Sequence, residues 1–188
     1  MKKRVAWALA SAASTVASLS LDSALPSGGD PTLMSANPQI LIRRARSADA
    51  EEVATIYIAS RRGAAAHMPR VHTDAEIREW VINHMVPERE TWVADDRGRI
   101  VAVMILDGEM VDQMYVAPAD QRRGVGDAML SHAKKLRPSR LRLYTFQSNA
   151  PARRFYEARG FVAIAFNDGE RNEERAPDVL YQWTPEQS

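Results

Sequence analysis

Cysteine is absent from all 188 residues of this chain. Without a thiol, the chain can form no disulfide, no thiolate metal site and no cysteinyl acyl-enzyme intermediate. A charge excess is absent too, because 25 Lys and Arg residues face 24 Asp and Glu residues, which gives a net charge of +1. The total charge therefore does not indicate a protein that binds nucleic acid.

The apolar run at the N-terminus is short. Residues 5–13 follow the basic start Met1-Lys2-Lys3-Arg4 and resemble a secretory signal, but they are too few to cross a membrane. A second methionine, Met34, stands just before the first predicted strand. We therefore expect residues 1–33 to be a leader or an upstream extension that is peripheral to the fold, and residues 34–188 to form a single domain.

Metal-binding patterns are also missing from the histidines, which are His67, His72, His84 and His132. No two of them stand four residues apart, as a histidine pair that binds a metal on one helix would, so no metal is expected. His132 stands among lysines and is expected to face solvent.

Two common phosphate-binding motifs do not fit the glycine-bearing turn at Gln121-Arg122-Arg123-Gly124-Val125-Gly126. A P-loop needs Lys-Ser or Lys-Thr after its last glycine, and neither follows here. A dinucleotide fingerprint needs a third glycine, where this chain has Met129. What remains is a QxxGxG pattern between an apolar strand and a helix-period segment.

This strand, turn and helix are expected to bind an anion. The first N–H groups of a helix have no intrahelical acceptor, and glycines at positions 124 and 126 leave a ligand room to approach them. The helix dipole adds partial positive charge, and Arg122 and Arg123 add whole charges. A diphosphate is the ligand that suits such a turn.

A second motif follows between Asn149 and Phe161. Asn149 suits a helix N-cap, Pro151 suits the first turn, and Gly160 stands where a C-terminal glycine is expected. The segment meets every fixed position of the pattern NxxAxxFYExxGF.

Both motifs, in this order, resemble the signatures of the GNAT superfamily of acyl-CoA-dependent N-acetyltransferases. The resemblance implies an α/β (α+β) fold with a mixed, mostly antiparallel twisted sheet of about seven strands and helices on both faces. The apolar segments predict strands at residues 39–43, 91–94, 100–106, 111–116, 141–146, 161–166 and 179–183. Helices are predicted from Ser47 or Asp49, from Thr73 to Pro87, after the glycine turn and after Asn149.

The same resemblance implies that acetyl-CoA is the acetyl donor, with its pyrophosphate in the glycine turn. Its pantetheine arm would bond the main chain of a strand that splays from its neighbour, so side-chain identity there should matter little. The cofactor-binding residues implied are Met114, Tyr115, Val116, Gln121, Arg122, Arg123, Gly124, Val125, Gly126, Asp127, Asn149, Ala152, Phe155 and Tyr156.

For catalysis, the resemblance implies that Tyr156 is the general acid that protonates the departing sulfur. Asp112 is the favoured carboxylate for the acceptor amine, as a base acting through water or only as an anchor for the ammonium group. Glu109 is the other candidate. Both carboxylates stand on or beside the strand that carries the predicted splay.

The acceptor is less defined by the sequence. The acidic segment 168–178, with Asp112 and Glu109, favours a small cationic amine such as an aminoglycoside, another amino sugar or a polyamine. Glu79, Trp80 and Glu174 are further candidate acceptor-binding residues, although Trp80 equally suits core packing. The alternatives are a peptide or protein acceptor, modified at its N-terminus or at lysine, and a non-catalytic acyl-CoA sensor. A cytoplasmic location is expected because acetyl-CoA is a cytosolic metabolite. Dimers are common among similar enzymes, so the resemblance is compatible with a homodimer.

Overall fold

The computed structural model describes residues 40–64 and 71–185. The predicted leader at 1–33, the start of the first strand at Gln39 and the histidine at position 67 lie outside the described residues. None of the helices in these two ranges has the length and apolar character needed to cross a membrane.

The described residues form one seven-stranded sheet in the order β1-β2-β3-β4-β5-β7-β6. Its strands are β1 Ile40–Arg44, β2 Glu90–Asp96, β3 Arg99–Asp107, β4 Met110–Val116, β5 Leu141–Phe146, β6 Val162–Asn167 and β7 Asp178–Trp183. Every neighbouring pair is antiparallel except β4 and β5, which are parallel. The predicted mixed, mostly antiparallel sheet is confirmed.

The helices are α1 Ala50–Ala64, α2 Asp74–Trp80, α3 Val86–Glu88, α4 Val125–Leu136 and α5 Ala150–Glu157. A 3₁₀ turn at Ser47–Asp49 precedes α1, and another at Pro118–Asp120 precedes the glycine turn. The N-cap residue of the first 3₁₀ turn is Arg46. The Asp49 carboxylate accepts a 2.7 Å hydrogen bond from the Arg46 N–H and so takes part in a capping box at this helix start.

The helical segment predicted before Pro87 begins at Thr73 as expected and continues to Glu88, slightly beyond the predicted end. Thr73 is the N-cap and forms a capping box with Glu76, which satisfies N–H groups at the helix start. After α2, the backbone takes a π-helical register over Val81–Met85 and then forms the short α3. Pro87 lies inside α3, so the helical segment ends one residue after the proline and not before it.

Two hydrophobic layers cover the two faces of the sheet. On one face, α4 and α5 contribute Val125, Met129, Ala152 and Tyr156 to a core that includes Met114. On the other face, α1 and the α2–α3 segment pack through a second set, Val53, Tyr57, Trp80, Met85 and Tyr115. Seven consecutive residues of β3 are buried, as expected for a strand covered on both faces. Helices on both faces are therefore confirmed.

Candidate active site

A gap between β4 and β5 is the main irregularity of the sheet. The two parallel strands share only the pair Met110 and Arg142, next to a 2.8 Å hydrogen bond from the Arg142 N–H to the Glu109 carbonyl. Beyond this point β4 is bonded to β3 on one side and has no ladder with β5 on the other. Main-chain N–H and C=O groups on that side have no strand partner, and apart from the Val116 carbonyl, which accepts a hydrogen bond from Ser60, they are left for a ligand.

A β-bulge in β4 adjoins the gap. Gln113 pairs with Ile105, whereas Val111 pairs with Leu106, so Asp112 is the extra residue. A bulge re-aims the side chains that follow it. Beyond the bulge, Met114 and Val116 belong to the α4–α5 core, whereas Tyr115 belongs to the α1–α2 core. All three side chains are buried, so their identity matters for packing.

The glycine turn leads from the open end of β4 into α4. Gly124 is the N-cap residue of α4, with φ of +79°, and no side chain caps this helix start. The first N–H groups of α4 are therefore left for solvent or a ligand. A Cβ on Gly124 would meet no atom within 4 Å. The arrangement is that of an anion-binding turn.

Gly126 also has a packing role. A Cβ on this residue would lie 3.2 Å from Cζ of Phe155. The missing side chain thus lets α4 pack closely against the Phe155 ring of α5, in addition to any access it gives a ligand.

The two arginines of the turn also differ. Arg122 is exposed, has φ of +62° and forms no ion pair with a described residue, so its charge is available to an anion. Arg123 pairs instead with Asp120 and, at 3.3 Å, with Asp96. Arg99 also donates two hydrogen bonds to Asp120, of 2.7 and 2.9 Å. These bonds are the main reason that the pKa of Asp120 lies below its usual range.

Helix α5 is fixed beside this turn. Asn149 is its N-cap and accepts a 3.1 Å hydrogen bond from the Ala152 N–H, as the sequence predicted. Asp127 of α4 accepts a 2.5 Å hydrogen bond from Arg159, whose guanidinium lies 3.7 Å from the Phe155 ring centroid. Gln121 lies near the end of β4, with its amide nitrogen 3.4 Å from the Val116 carbonyl oxygen.

Tyr156, the predicted acid, is fully buried in α5. Its ring packs against Phe155 and Phe161, with centroid distances of 5.2 and 5.7 Å. It shares the α4–α5 core with Met114 and Val116 of β4. The structure therefore places Tyr156 on the same side of the sheet as the glycine turn.

The two candidate carboxylates lie in different surroundings. Asp112, at the bulge, has a side chain that is 11% exposed and stands 3.2 Å from the Arg89 guanidinium. Burial raises the pKa of Asp112, while Arg89 opposes that shift. Glu109 lies at the closed end of the gap, where its carboxylate pairs with Arg140 at 2.5 Å. Of the two, Asp112 has the surroundings better suited to a base.

The remaining candidate acceptor residues, Glu79, Trp80 and Glu174, differ in exposure and in their partners. Glu79 is exposed on α2, whereas Trp80 is buried and packs on Tyr57 with ring centroids 6.0 Å apart. Glu174 is buried and forms a 3.1 Å ion pair with Arg61 of α1. Core packing is thus the role that the structure shows for Trp80.

The surroundings of Glu174 include residues that sequence reasoning missed. Tyr57, Arg61 and Gln113 lie on the α1 side of β4 and contact one another or Glu174. Alternation along β4 was a signal for Gln113, since it predicts that residues 113 and 115 face away from residue 114. No local pattern marked Tyr57 or Arg61.

The expected exposure of His132 is wrong. Its ring packs against Trp92 with centroids 4.4 Å apart, and its Nε2 atom is buried without a hydrogen-bond partner in the described part of the chain. Burial, followed by the nearby Lys135 charge, lowers the pKa of His132. Among residues 40–64 and 71–185, no group of three or more His, Asp or Glu side chains could hold a metal ion.

The split sheet, the glycine turn at the start of α4 and the second motif on α5 together define a class, the acyltransferases of the GNAT type. The sequence profile described as "Acetyltransferase (GNAT) domain" matches residues 87–163. A peptidyl-lysine N-acetyltransferase, YjaB of Salmonella typhimurium, is 30% identical over 65% of this chain and 83% of its own length. The chain therefore belongs to the GNAT acetyltransferase family and is an acyltransferase.

Other comparisons agree with this assignment. The peptidyl-lysine N-acetyltransferase YiaC of Escherichia coli is 34% identical over 50% of this chain. The match spans 63% of YiaC, less than two thirds of its length. The solution structure of apo YjaB from Escherichia coli has a TM-score of 0.64 at 25% identity and covers 77% of this chain and 97% of its own. The PaiA N-acetyltransferase of Thermoplasma acidophilum, solved with coenzyme A, shares the fold at 16% identity, with a TM-score of 0.60 over 78% of this chain and 99% of its own.

Proposed function

We propose that this protein transfers an acetyl group from acetyl-CoA to the ε-amino group of a lysine residue in a peptide or protein. The observation that carries this proposal is the similarity to YjaB, a peptidyl-lysine N-acetyltransferase, over 83% of that relative. The second relative, YiaC, is also a peptidyl-lysine N-acetyltransferase. With no cysteine in the chain to form an acyl-enzyme, direct transfer in a ternary complex is the route that we propose.

The described residues fit acetyl-CoA. The uncapped start of α4 offers main-chain N–H groups, Gly124 leaves open space in front of them, and Arg122 supplies an unpaired positive charge. These features suit a diphosphate. The rest of the predicted cofactor set lies on β4, in the turn before α4, and on α4 and α5 or at the start of α5. Acetyl-CoA supplies an activated thioester, and its use supports a cytoplasmic location.

Within the proposed reaction, three parts of the chain have distinct roles. Main-chain N–H groups on the open side of β4 polarise the carbonyl that is attacked. Tyr156 holds a proton for the departing sulfur. Asp112 removes the proton of the amine through water or anchors the ammonium group, and its raised pKa brings the carboxylate closer to the range in which a base is efficient.

The peptide acceptor replaces the aminoglycoside or polyamine that charge alone favoured. Much of the acidic segment is already engaged: Glu174 pairs with Arg61 and Glu173 with His72. Asp178 accepts hydrogen bonds from Asn167 and Asn172 at 2.7 and 2.9 Å. A polycation would therefore find less negative charge here than the sequence suggests.

The test is acetyl transfer by the full chain to matched peptides. One peptide has a blocked N-terminus and a single lysine, a second has arginine in its place, and a third has a free N-terminus and no lysine. Release of coenzyme A thiol and mass spectrometry would report modification. We expect the first peptide alone to be acetylated. Acetylation of aminoglycosides or polyamines with no activity on any peptide would contradict the proposal.

A further inference from the structure

A group of polar side chains interrupts the apolar layer between the sheet and α1. We call it the buried polar cluster, and it comprises Tyr57, Arg61, Gln113, Tyr115 and Glu174. The Glu174 side chain is 1% exposed and that of Arg61 is 12% exposed, while Tyr115 and Gln113 are buried. Polar groups at such depth need partners, because each one left unpaired destabilises the fold.

The cluster is continuous. The side-chain oxygen Oε1 of Gln113 accepts a 2.6 Å hydrogen bond from the Tyr115 hydroxyl, and the Tyr57 hydroxyl stands 3.5 Å from the same atom. The Arg61 guanidinium lies 5.9 Å from the Tyr57 ring centroid and donates a 3.1 Å hydrogen bond to Oε1 of Glu174. A chain of contacts thus runs from β4 to the segment between β6 and β7.

Two atoms of the cluster remain without partners. Oε2 of Glu174 and Nε2 of Gln113 are buried and have no hydrogen bond with any described residue. They need opposite partners, since the carboxylate oxygen only accepts and the amide nitrogen only donates. An N–H donor would satisfy the carboxylate oxygen, and a carbonyl acceptor would satisfy the amide nitrogen.

The cluster lies beside the gap in the sheet. Gln113 follows the bulge at Asp112 on β4. Asp178, which ends the segment that carries Glu174, pairs with Phe146 at the C-terminal end of β5. The cluster therefore lies near the open end of the gap, on the face opposite the glycine turn. Two reactants that meet in the gap need separate entrances, and this face is the one left for the acceptor.

The segment that carries Glu174 is fixed by hydrogen bonds and close packing of its own residues. Asn172 donates hydrogen bonds of 2.8 Å to the Ala176 carbonyl and 2.9 Å to Asp178. At Gly169 the chain passes so close to Ala176 that a Cβ would lie 2.5 Å from its carbonyl carbon. A segment fixed in this way directs a carboxylate with little conformational freedom, which favours preorganised binding.

Resting on the function proposed above, we propose that Glu174, oriented by Arg61, and Gln113 form the acceptor subsite, which receives the lysine amine and a peptide carbonyl respectively. Both atoms are shielded from solvent in this structure, so entry of the acceptor displaces side chains that cover them. Arg61 already offsets the charge of Glu174, so the subsite favours an amine in its neutral, nucleophilic form. A polyamine offers no carbonyl and would leave Gln113 unsatisfied.

The test is Glu174→Gln in the full chain, with Glu173→Gln as the matched control. Glu173 belongs to the same segment, but its side chain is 35% exposed and pairs with His72 outside the cluster. Loss of a hydrogen bond to a buried charged group should raise the KM for the lysine peptide about tenfold or more. The KM for acetyl-CoA should stay within about twofold in both variants, and the control should keep its peptide KM. Equal peptide KM values in the two variants would overturn the subsite.

Two further measurements keep the inference distinguishable from the proposed function. Glu174→Asp retains the charge beside Arg61 and serves if Glu174→Gln does not fold; a raised peptide KM is again expected, and an unchanged one contradicts the subsite. If the unmodified protein acetylates no lysine peptide, the proposed function fails. If it does so and Glu174→Gln behaves as the unmodified protein, the subsite alone fails.

Discussion

At the scale of single residues, burial separates structural from chemical roles in ways that residue type does not. Glu109 and Asp112 are close in the sequence, yet Glu109 is half-exposed and pairs with Arg140 at the closed end of the gap, whereas Asp112 is largely buried beside Arg89 at a bulge. Arg122 and Arg123 are adjacent, yet Arg123 is tied to Asp120 and Asp96. The sequence predicted the residue types of the site, but such partners depend on the fold.

Tyr156→Phe removes the proposed acid and keeps the packed ring. We expect kcat to fall by about 10²-fold or more, because general acid catalysis contributes on that order. The KM for acetyl-CoA should change little, since the aromatic contacts with Phe155 and Phe161 remain. Steady-state kinetics would check this, with the half-buried Tyr144 changed to Phe as control. An unchanged kcat would remove Tyr156 as the acid.

His132 makes stability depend on pH. Its pKa is lowered in the folded protein by burial and by Lys135, so the unfolded chain binds the proton more readily. Stability is full above the ordinary histidine pKa of about 6.5 and falls as the pH drops from there through the folded pKa. We expect His132→Gln to weaken this dependence in urea unfolding measured at several pH values. Equal pH dependence in both proteins would contradict the packing of His132 on Trp92.

At the scale of elements, the sequence predicted more than at the scale of residues. Apolar segments predicted all seven strands, and capping residues predicted the starts of α2 and α5, because these signals are local. The bulge at Asp112 and the π-helical register before α3 were not predicted. Both depend on how neighbouring elements pack, which no single segment encodes.

The glycine turn allows a test with a matched control. Gly124 and Gly98 have φ values of +79° and +87°, and a Cβ added to either residue would have no other atom within 4 Å. Alanine at either position should therefore impose a similar backbone strain of about 1 kcal/mol. We expect only Gly124→Ala to weaken coenzyme A binding in calorimetry, by about tenfold or more, because only this residue adjoins the start of α4. Equal binding by the two variants would argue against the assigned turn.

At the scale of the whole molecule, the buried polar cluster shows what a sequence conceals. Tyr57 and Gln113 are 56 residues apart, and Arg61 and Glu174 are 113 residues apart. Only the fold brings them together, because α1 and the segment before β7 belong to distant parts of the chain. Within the acidic segment that helped to suggest a site for a polycation, Glu174 and Glu173 have such distant partners in Arg61 and His72.

The boundary at residue 33 stays a prediction. Removal of residues 1–33 should leave the midpoint of thermal unfolding and the kcat/KM for a lysine peptide unchanged within about twofold, because the sheet begins at Ile40. Calorimetry and kinetics on the full and the shortened chain would measure both. A shortened protein that fails to fold would show that the leader belongs to the domain.

The most direct test of the account is an experimental structure of the protein with coenzyme A and a lysine peptide. We predict that the diphosphate lies against the main chain at the start of α4, that the thiol end lies in the gap between β4 and β5, and that the lysine enters from the α1 face. Coenzyme A bound elsewhere, or a lysine entering from the α4 face, would contradict the account.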